Sequence, residues 1–351
     1  MTLIAGYIKN SCPVLLGDVL LSIPKGKGAS ISTPSWHHVE EAQQEPLQIV
    51  NMVQKVNIVH DHACFAWAGS YVQARVFATA LRTHLQANDL DDAKMMEFFK
   101  TFDKEDYDGL DCIIYTVHNG ILKRFHRNAD EYELDGLMVQ TGGSGQGHFI
   151  KSVEYFHKAA ADGDMREETV VAPGLSYIAS AFGEQLFTGD GLQDGWGGAF
   201  ELAYFANGKF QKLDDVLYVF WTAEQNERGE FTLKPFPYLV KTNYFGDTFT
   251  VMVQDNSEQD AQTRIYNICP LGQRDTERHT PPLTFTYLIN YILMEKLEGP
   301  AMSCTSLMTN ASACGFSINR ANGTTCLEFS REFIEKLCKD AFGPGNILHN
   351  V

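Results

Sequence analysis

Apolar positions at the start of the chain crowd into short runs broken by turn residues. Thr2 to Lys9 and Val14 to Ser22 are β-rich, and Asn10-Ser11-Cys12-Pro13 between them supplies turn chemistry, which predicts an N-terminal hairpin. From Ile23 to about Val50 Gly, Ser, Pro, His and Glu prevail with no sustained period, so an inserted surface loop is expected. Strand composition returns at Lys55 to His60 and Ala63 to Ala68, closed by Gly69-Ser70. Val72, Val76, Phe77, Ala80, Leu81 and Leu85 then recur at helical spacing, as do Met95, Met96, Phe98, Phe99 and Phe102, predicting two helices on a sheet face.

Strand patterns resume at Leu110 to Val117 and Ile121 to Phe125 around Asn119-Gly120, and again at Leu137 to Gln140. A glycine-rich turn, Gly142 to Gly147, precedes helices predicted over His148 to Ala161 and Gly174 to Phe187, then strands at Gly198 to Ala206, Phe210 to Leu213 and Val216 to Thr222. Hairpins alternating with helix pairs imply an α+β fold, two antiparallel sheets packed together and covered on both sides as a four-layer αββα sandwich. Residues 1–243 are assigned to this unit. Residues 244–351 read as an appended region of mixed α and β content, with strands at Phe249 to Val253, Thr263 to Ile268, Gly315 to Ile318 and Thr325 to Phe329, and helices at Thr284 to Leu297 and Arg331 to Ala341.

Composition narrows the function. The 351 residues carry 28 Lys plus Arg against 44 Asp plus Glu, a net charge of -16, and no basic run, which argues against nucleic acid. No apolar stretch has the length of a membrane span, and the first residues lack the basic and apolar regions of a secretion signal, so a cytoplasmic protein is expected. The eight cysteines, none at C-x-x-C spacing, read as reduced thiols rather than zinc ligands; no metal or cofactor is expected. His60-Asp61-His62-Ala63-Cys64 holds ligand-type side chains, but a strand splits them between two faces.

Thr2 directly follows the initiator Met, whose removal is favoured by a small second residue. A terminal Thr carries both a hydroxyl and an α-amine able to accept its proton, an amine with an ordinary pKa of about 8. The run Thr2-Leu3-Ile4-Ala5-Gly6-Tyr7, followed by Val14 to Ser22 with Asp18 sixteen residues beyond Thr2, resembles the opening of proteasome β subunits, which are N-terminal-nucleophile hydrolases. Val53-Gln54-Lys55 and Ala66-Trp67-Ala68-Gly69 continue the likeness, as do Gly142-Gly143-Ser144-Gly145 and Asp194-Gly195-Trp196-Gly197-Gly198. It covers about Thr2 to Thr222. It departs at Leu20, where the family has Arg, and at Trp196, aligned with a family Ser.

The resemblance implies that Thr2 is the nucleophile, that Lys55 paired with Asp18 tunes its amine, and that the Gly69 N–H holds the oxyanion. It further implies that Ser144 and Asp194 orient the terminal amine. It carries over a side-chain pocket formed by Leu21, Ser22, Val53, Asn57, Trp67, Tyr71 and Arg75, suited to a small or acidic residue. The expected activity is cleavage of amide bonds, most simply in peptide or protein substrates, by a homo-oligomeric ring. An amidase for small non-peptide amides and an inactive structural homologue are the alternatives.

Overall fold

In β1 (Leu3–Lys9) both faces are buried: Leu3, Ala5 and Tyr7 enter one apolar cluster and Ile4 another, because successive side chains of a strand point to opposite sides. The computed structural model describes residues 2–24, 31–35, 47–87, 92–101, 107, 109–134, 136–156, 167–188, 192, 194–227, 231–255, 262–273, 277–282, 284–295, 302–309, 314–318 and 325–342. After β1 come β2 (Cys12–Asp18), β3 (Leu20–Pro24), β4 (Leu47–Met52), β5 (Val56–His60), β6 (Ala63–Gly69), α1 (Tyr71–Ala87) and α2 (Asp92–Thr101). The next elements are β7 (Leu110–His118), β8 (Ile121–Arg127), β9 (Asp130–Leu134), β10 (Leu137–Gly143), α3 (Gln146–Phe156), α4 (Glu167–Thr188), β11 (Phe200–Ala206) and β12 (Lys209–Lys212). The chain continues through β13 (Val216–Gln225), β14 (Phe231–Phe245), β15 (Thr248–Asp255), β16 (Gln262–Ile268), β17 (Tyr287–Glu295), β18 (Met302–Thr309), β19 (Cys314–Ile318), β20 (Thr325–Phe329) and α5 (Arg331–Phe342).

The fold is mixed α+β with several antiparallel sheets. One sheet runs β12-β11-β2-β1-β10-β9, a second β5-β6-β7-β8, a third β16-β15-β14-β13-β17-β18. Ile4, Leu15 and Ala203 of the first sheet share a cluster with Val56, Ala66 and Ile113 of the second, so these two sheets face each other. The alternate residues Phe65 and Trp67 of β6 turn the other way, onto Phe77 and Leu81 of α1 and Met95 and Phe98 of α2. Leu3, Tyr7 and Leu16 pack against Phe149 of α3 and Leu175 and Phe182 of α4. Helix α4 lies between two sheets, because Val216, Tyr218 and Phe220 of β13 join the same cluster. The intervening Leu217, Val219 and Trp221 pack instead with Phe333 and Leu337 of α5. Ser70 and Ser330 cap α1 and α5 by accepting the backbone N–H of Gln73 (3.4 Å) and Phe333 (3.2 Å).

Three expectations change. The helix expected over Thr284 to Leu297 is strand β17, paired in parallel with β13 from Val216↔Tyr287 onward. Tyr287 to Leu293 is apolar at nearly every position, so no period separates helix from strand, and burial between α4 and α5 selects the extended form. The expected division after residue 243 falls inside β14, and the third sheet already begins at Val216. The inserted segment is not simply surface loop: Ile23 and Pro24 pair with Gln48 and Leu47, and Thr33 and Ser35 are buried. Residues 25–30 and 36–46 of that insertion lie outside the described residues, as do 157–161 of the third expected helix. Among the described residues, no helix is long and apolar enough to cross a membrane.

Candidate functional site

Thr2, Asp18 and Lys55 meet where the first two sheets come together. Thr2 leads into β1, and Asp18 ends the neighbouring β2. Lys55 lies just before β5, held at the edge of the second sheet by its carbonyl, which accepts the Trp67 N–H at 3.1 Å. The two sheets approach closely here, since a Cβ on Gly17 would sit 3.4 Å from the Lys55 Cβ.

Asp18 is the hub. Its Oδ1 accepts the Thr2 hydroxyl at 2.5 Å, the Lys55 ammonium at 2.6 Å and the Leu3 N–H at 3.2 Å. Its Oδ2 accepts the Gly197 N–H at 2.8 Å. Thr2, Asp18 and Lys55 are 2%, 0% and 1% exposed, so the ion pair is dry and each charge depends on the other. Burial pulls the Lys55 ammonium below its ordinary value, opposed by the carboxylates of Asp18 and Glu201. A hydroxyl, a carboxylate and an amine with weakened proton affinity thus share one small volume, the ingredients of a proton-transfer site.

The Thr2 carbonyl is held from the other side. It accepts the Gly145 N–H at 3.3 Å, and the Ser144 hydroxyl lies 3.5 Å away. Gly143, opposite Leu3 across the β1–β10 pairing, has φ +85, and a Cβ there would come within 2.1 Å of the Thr2 carbonyl oxygen. Only glycine fits this left-handed position. Ser144 also donates to Asp194 at 2.9 Å, but to its backbone carbonyl, and Asp194 is exposed. The contact between Ser144 and Asp194 thus runs through the backbone carbonyl and not through the carboxylate. Gly69, two residues beyond the Trp67 that bonds Lys55, has φ +89 at the end of β6.

The two departures at Leu20 and Trp196 are filled by packing. Leu20 is buried with Ile49 and Leu192, and Trp196 lies against Gly145 with its ring centroid 4.9 Å from that of His148, the two planes tilted by 42°. Sequence reasoning missed Gly197, whose N–H supports Asp18, and Gln185, whose carboxamide brackets that glycine. A run of glycines after Asp194 was the available signal for the first; nothing local marks the second.

Of the pocket positions, Val53 and Trp67 are buried in one cluster, with Leu21 and Tyr71 packed partly buried against it. Leu271, on a turn following β16, belongs to that cluster too. The same turn is tied to the second sheet's edge: the Gln54 N–H donates to the Cys269 carbonyl at 3.1 Å, and a Cβ on Gly272 would lie 3.5 Å from the Arg75 Nε. Arg75 is exposed and runs over the Tyr71 ring at 5.9 Å. Asn57 is turned to the Gln54 carbonyl at 3.5 Å, and the buried Ser22 Oγ has no hydrogen-bond partner among the described residues. Among these residues no group of three or more His, Cys, Asp and Glu is placed to hold a metal; the His60 and His62 rings lie 5.6 Å apart and tilted, while Cys64 is buried.

No protein-family model matches the chain, and a search of curated proteins finds no match.

Proposed function

We propose that this chain, after removal of Met1, is an N-terminal-threonine hydrolase of the proteasome β-subunit kind, cleaving amide bonds in peptides. The observation that carries the reading is the convergence of Thr2 Oγ1 and Lys55 Nζ on one buried carboxylate oxygen of Asp18, at 2.5 and 2.6 Å. Two facing antiparallel sheets with α1 and α2 on one side and α3 and α4 on the other fit the αββα sandwich of that family.

In this reaction Thr2 Oγ attacks the substrate carbonyl while its proton passes to the freed α-amine. The Lys55 charge, held by Asp18, lowers that amine's proton affinity through repulsion. The Gly69 N–H receives the oxyanion, a contribution of about 3 kcal/mol for one donor. The ammonium then protonates the leaving amine as the carbon–nitrogen bond breaks, and water hydrolyses the ester to regenerate Thr2. With Trp67 and Leu271 filling the apolar cluster beneath the expected pocket, the residue before the cut bond is small. Ring assembly belongs to the same proposal and rests on the resemblance alone.

A second reading, an inactive homologue, is favoured by the burial of Thr2 and by Trp196 at the place of a family Ser. Intact mass before and after treatment with a peptide epoxyketone, which bonds a terminal hydroxyl and amine together, separates the two. The hydrolase loses Met1 and gains one adduct that Thr2→Ala does not form. Retained Met1 with no adduct leaves the inactive homologue. In the active case, fastest turnover of peptides after large aliphatic residues would reject the small pocket.

A further inference from the structure

Asp18 Oδ2 takes a single described hydrogen bond, from the Gly197 N–H, so the orientation of the Trp196–Gly197 peptide decides whether that oxygen is supported. In a trans peptide the C=O and the N–H point opposite ways. The C=O of this unit, on Trp196, accepts Gln185 Nε2 at 3.4 Å. Gln185 also holds the next unit, its Oε1 accepting the Gly198 N–H at 3.1 Å and the Ser35 hydroxyl at 2.6 Å. Both lone pairs of the carboxamide oxygen are then used, and a backbone N–H as partner fixes which end is oxygen. Ser35 closes the ring by donating its own N–H to the Gly198 carbonyl at 3.0 Å. Gln185 and Ser35 are 2% and 1% exposed, so no water replaces these bonds cheaply. Gly197 and Gly198 have φ +110 and +79, and a Cβ on Gly197 would lie 1.8 Å from Gln185 Nε2. The glycines and the glutamine are therefore one fitted unit.

We propose that Gln185 is a positioning residue for Asp18: it fixes the peptide plane whose N–H holds the carboxylate, and Ser35 of the inserted segment locks Gln185 in that pose. The insertion is thereby part of the site rather than an appendage. The catalytic part of this inference rests on the hydrolase reading; the structural part does not.

The test measures amide exchange at Gly197 by NMR, and the epoxyketone reaction rate against pH by intact mass, in the full chain and in Gln185→Met and Ser35→Ala. In Gln185→Met we expect Gly197 to lose its protection and the reaction to slow about tenfold or more, the scale of one charge-assisted hydrogen bond. The alkaline limb of the profile, set by Lys55 between Asp18 and Glu201, should also move to lower pH. Ser35→Ala shifts the same quantities less. Unchanged Gly197 exchange in Gln185→Met, or a uniform slowing with the profile's shape preserved, overturns the proposal. If Gln185→Met does not fold, Ser35→Ala decides by the same measurements. If the unmodified chain gains no adduct at any pH, the hydrolase reading falls, and the exchange data still decide whether Gln185 holds the peptide.

Discussion

At the scale of the residue, the Lys55–Asp18 pair has a consequence independent of catalysis. Lys55→Met strands a carboxylate that is 0% exposed, which costs about 3–5 kcal/mol and is read by urea unfolding. A loss under about 1 kcal/mol would mean that water reaches the pair. The pH dependence has the opposite sign for different groups. Burial pushes the Cys64 and Cys112 thiols from 9.0 up to about 12 and raises the Tyr7, Tyr115 and Tyr218 phenols as well. Groups raised on folding stabilise below their unfolded values and lose that contribution as pH climbs toward the folded ones. Lys55 and Lys241 are lowered, so their contributions grow between the depressed values and 10.5. The neutral thiols and phenols outnumber the two lysines, so the melting temperature is expected to fall as pH rises from 9; a rise over that range would show the lysines dominating. Thr2 and Asp18 were legible by their sixteen-residue spacing, and Lys55 by the likeness of the strand it opens, although an insertion precedes it. Gln185 was not, because its partners Ser35 and Gly198 are brought to it only by folding.

Among the elements, α4 shows how a local fault is repaired from a distance. Pro173 lies inside it and has no N–H to give to the helix ladder. The Tyr7 hydroxyl bridges the turn beside it, donating to Val170 O at 2.9 Å and accepting from Gly174 N at 3.1 Å. Tyr7→Phe leaves two buried backbone groups without this partner, an expected loss of about 2–4 kcal/mol in denaturant unfolding at nearly unchanged shape. A change within error would indicate that the helix closes its own ladder. Sequence periodicity found α1, α2 and α5 to within a few residues, since each shows the core one stripe and solvent the rest. It failed at β17, buried on both faces, and did not register β14 or β18, whose identity depends on the partners beside them.

For the whole molecule, the layers are continuous from α1 and α2 through three sheets and α4 to α5. One cluster joins Leu3 and Tyr7 of β1 to Val251 of β15 and Ile289 of β17. A chain ending at residue 243 would cut β14 and strip the apolar face of α4 that β17 covers. Such a fragment is expected to aggregate or to lack a cooperative melting transition; a soluble fragment with a sharp transition would restore the division at 243. The sequence by itself determined the hairpins, the helices with one apolar stripe and the spacing of Thr2, Asp18 and Lys55, because these depend on neighbours along the chain. Tertiary structure alone decided the strand state of β17, the sheet that begins at Val216, and the support of Asp18 by Gly197 and Gln185. Those features depend on groups distant in sequence, which compete on nearly equal terms until burial makes each unpaired polar group costly.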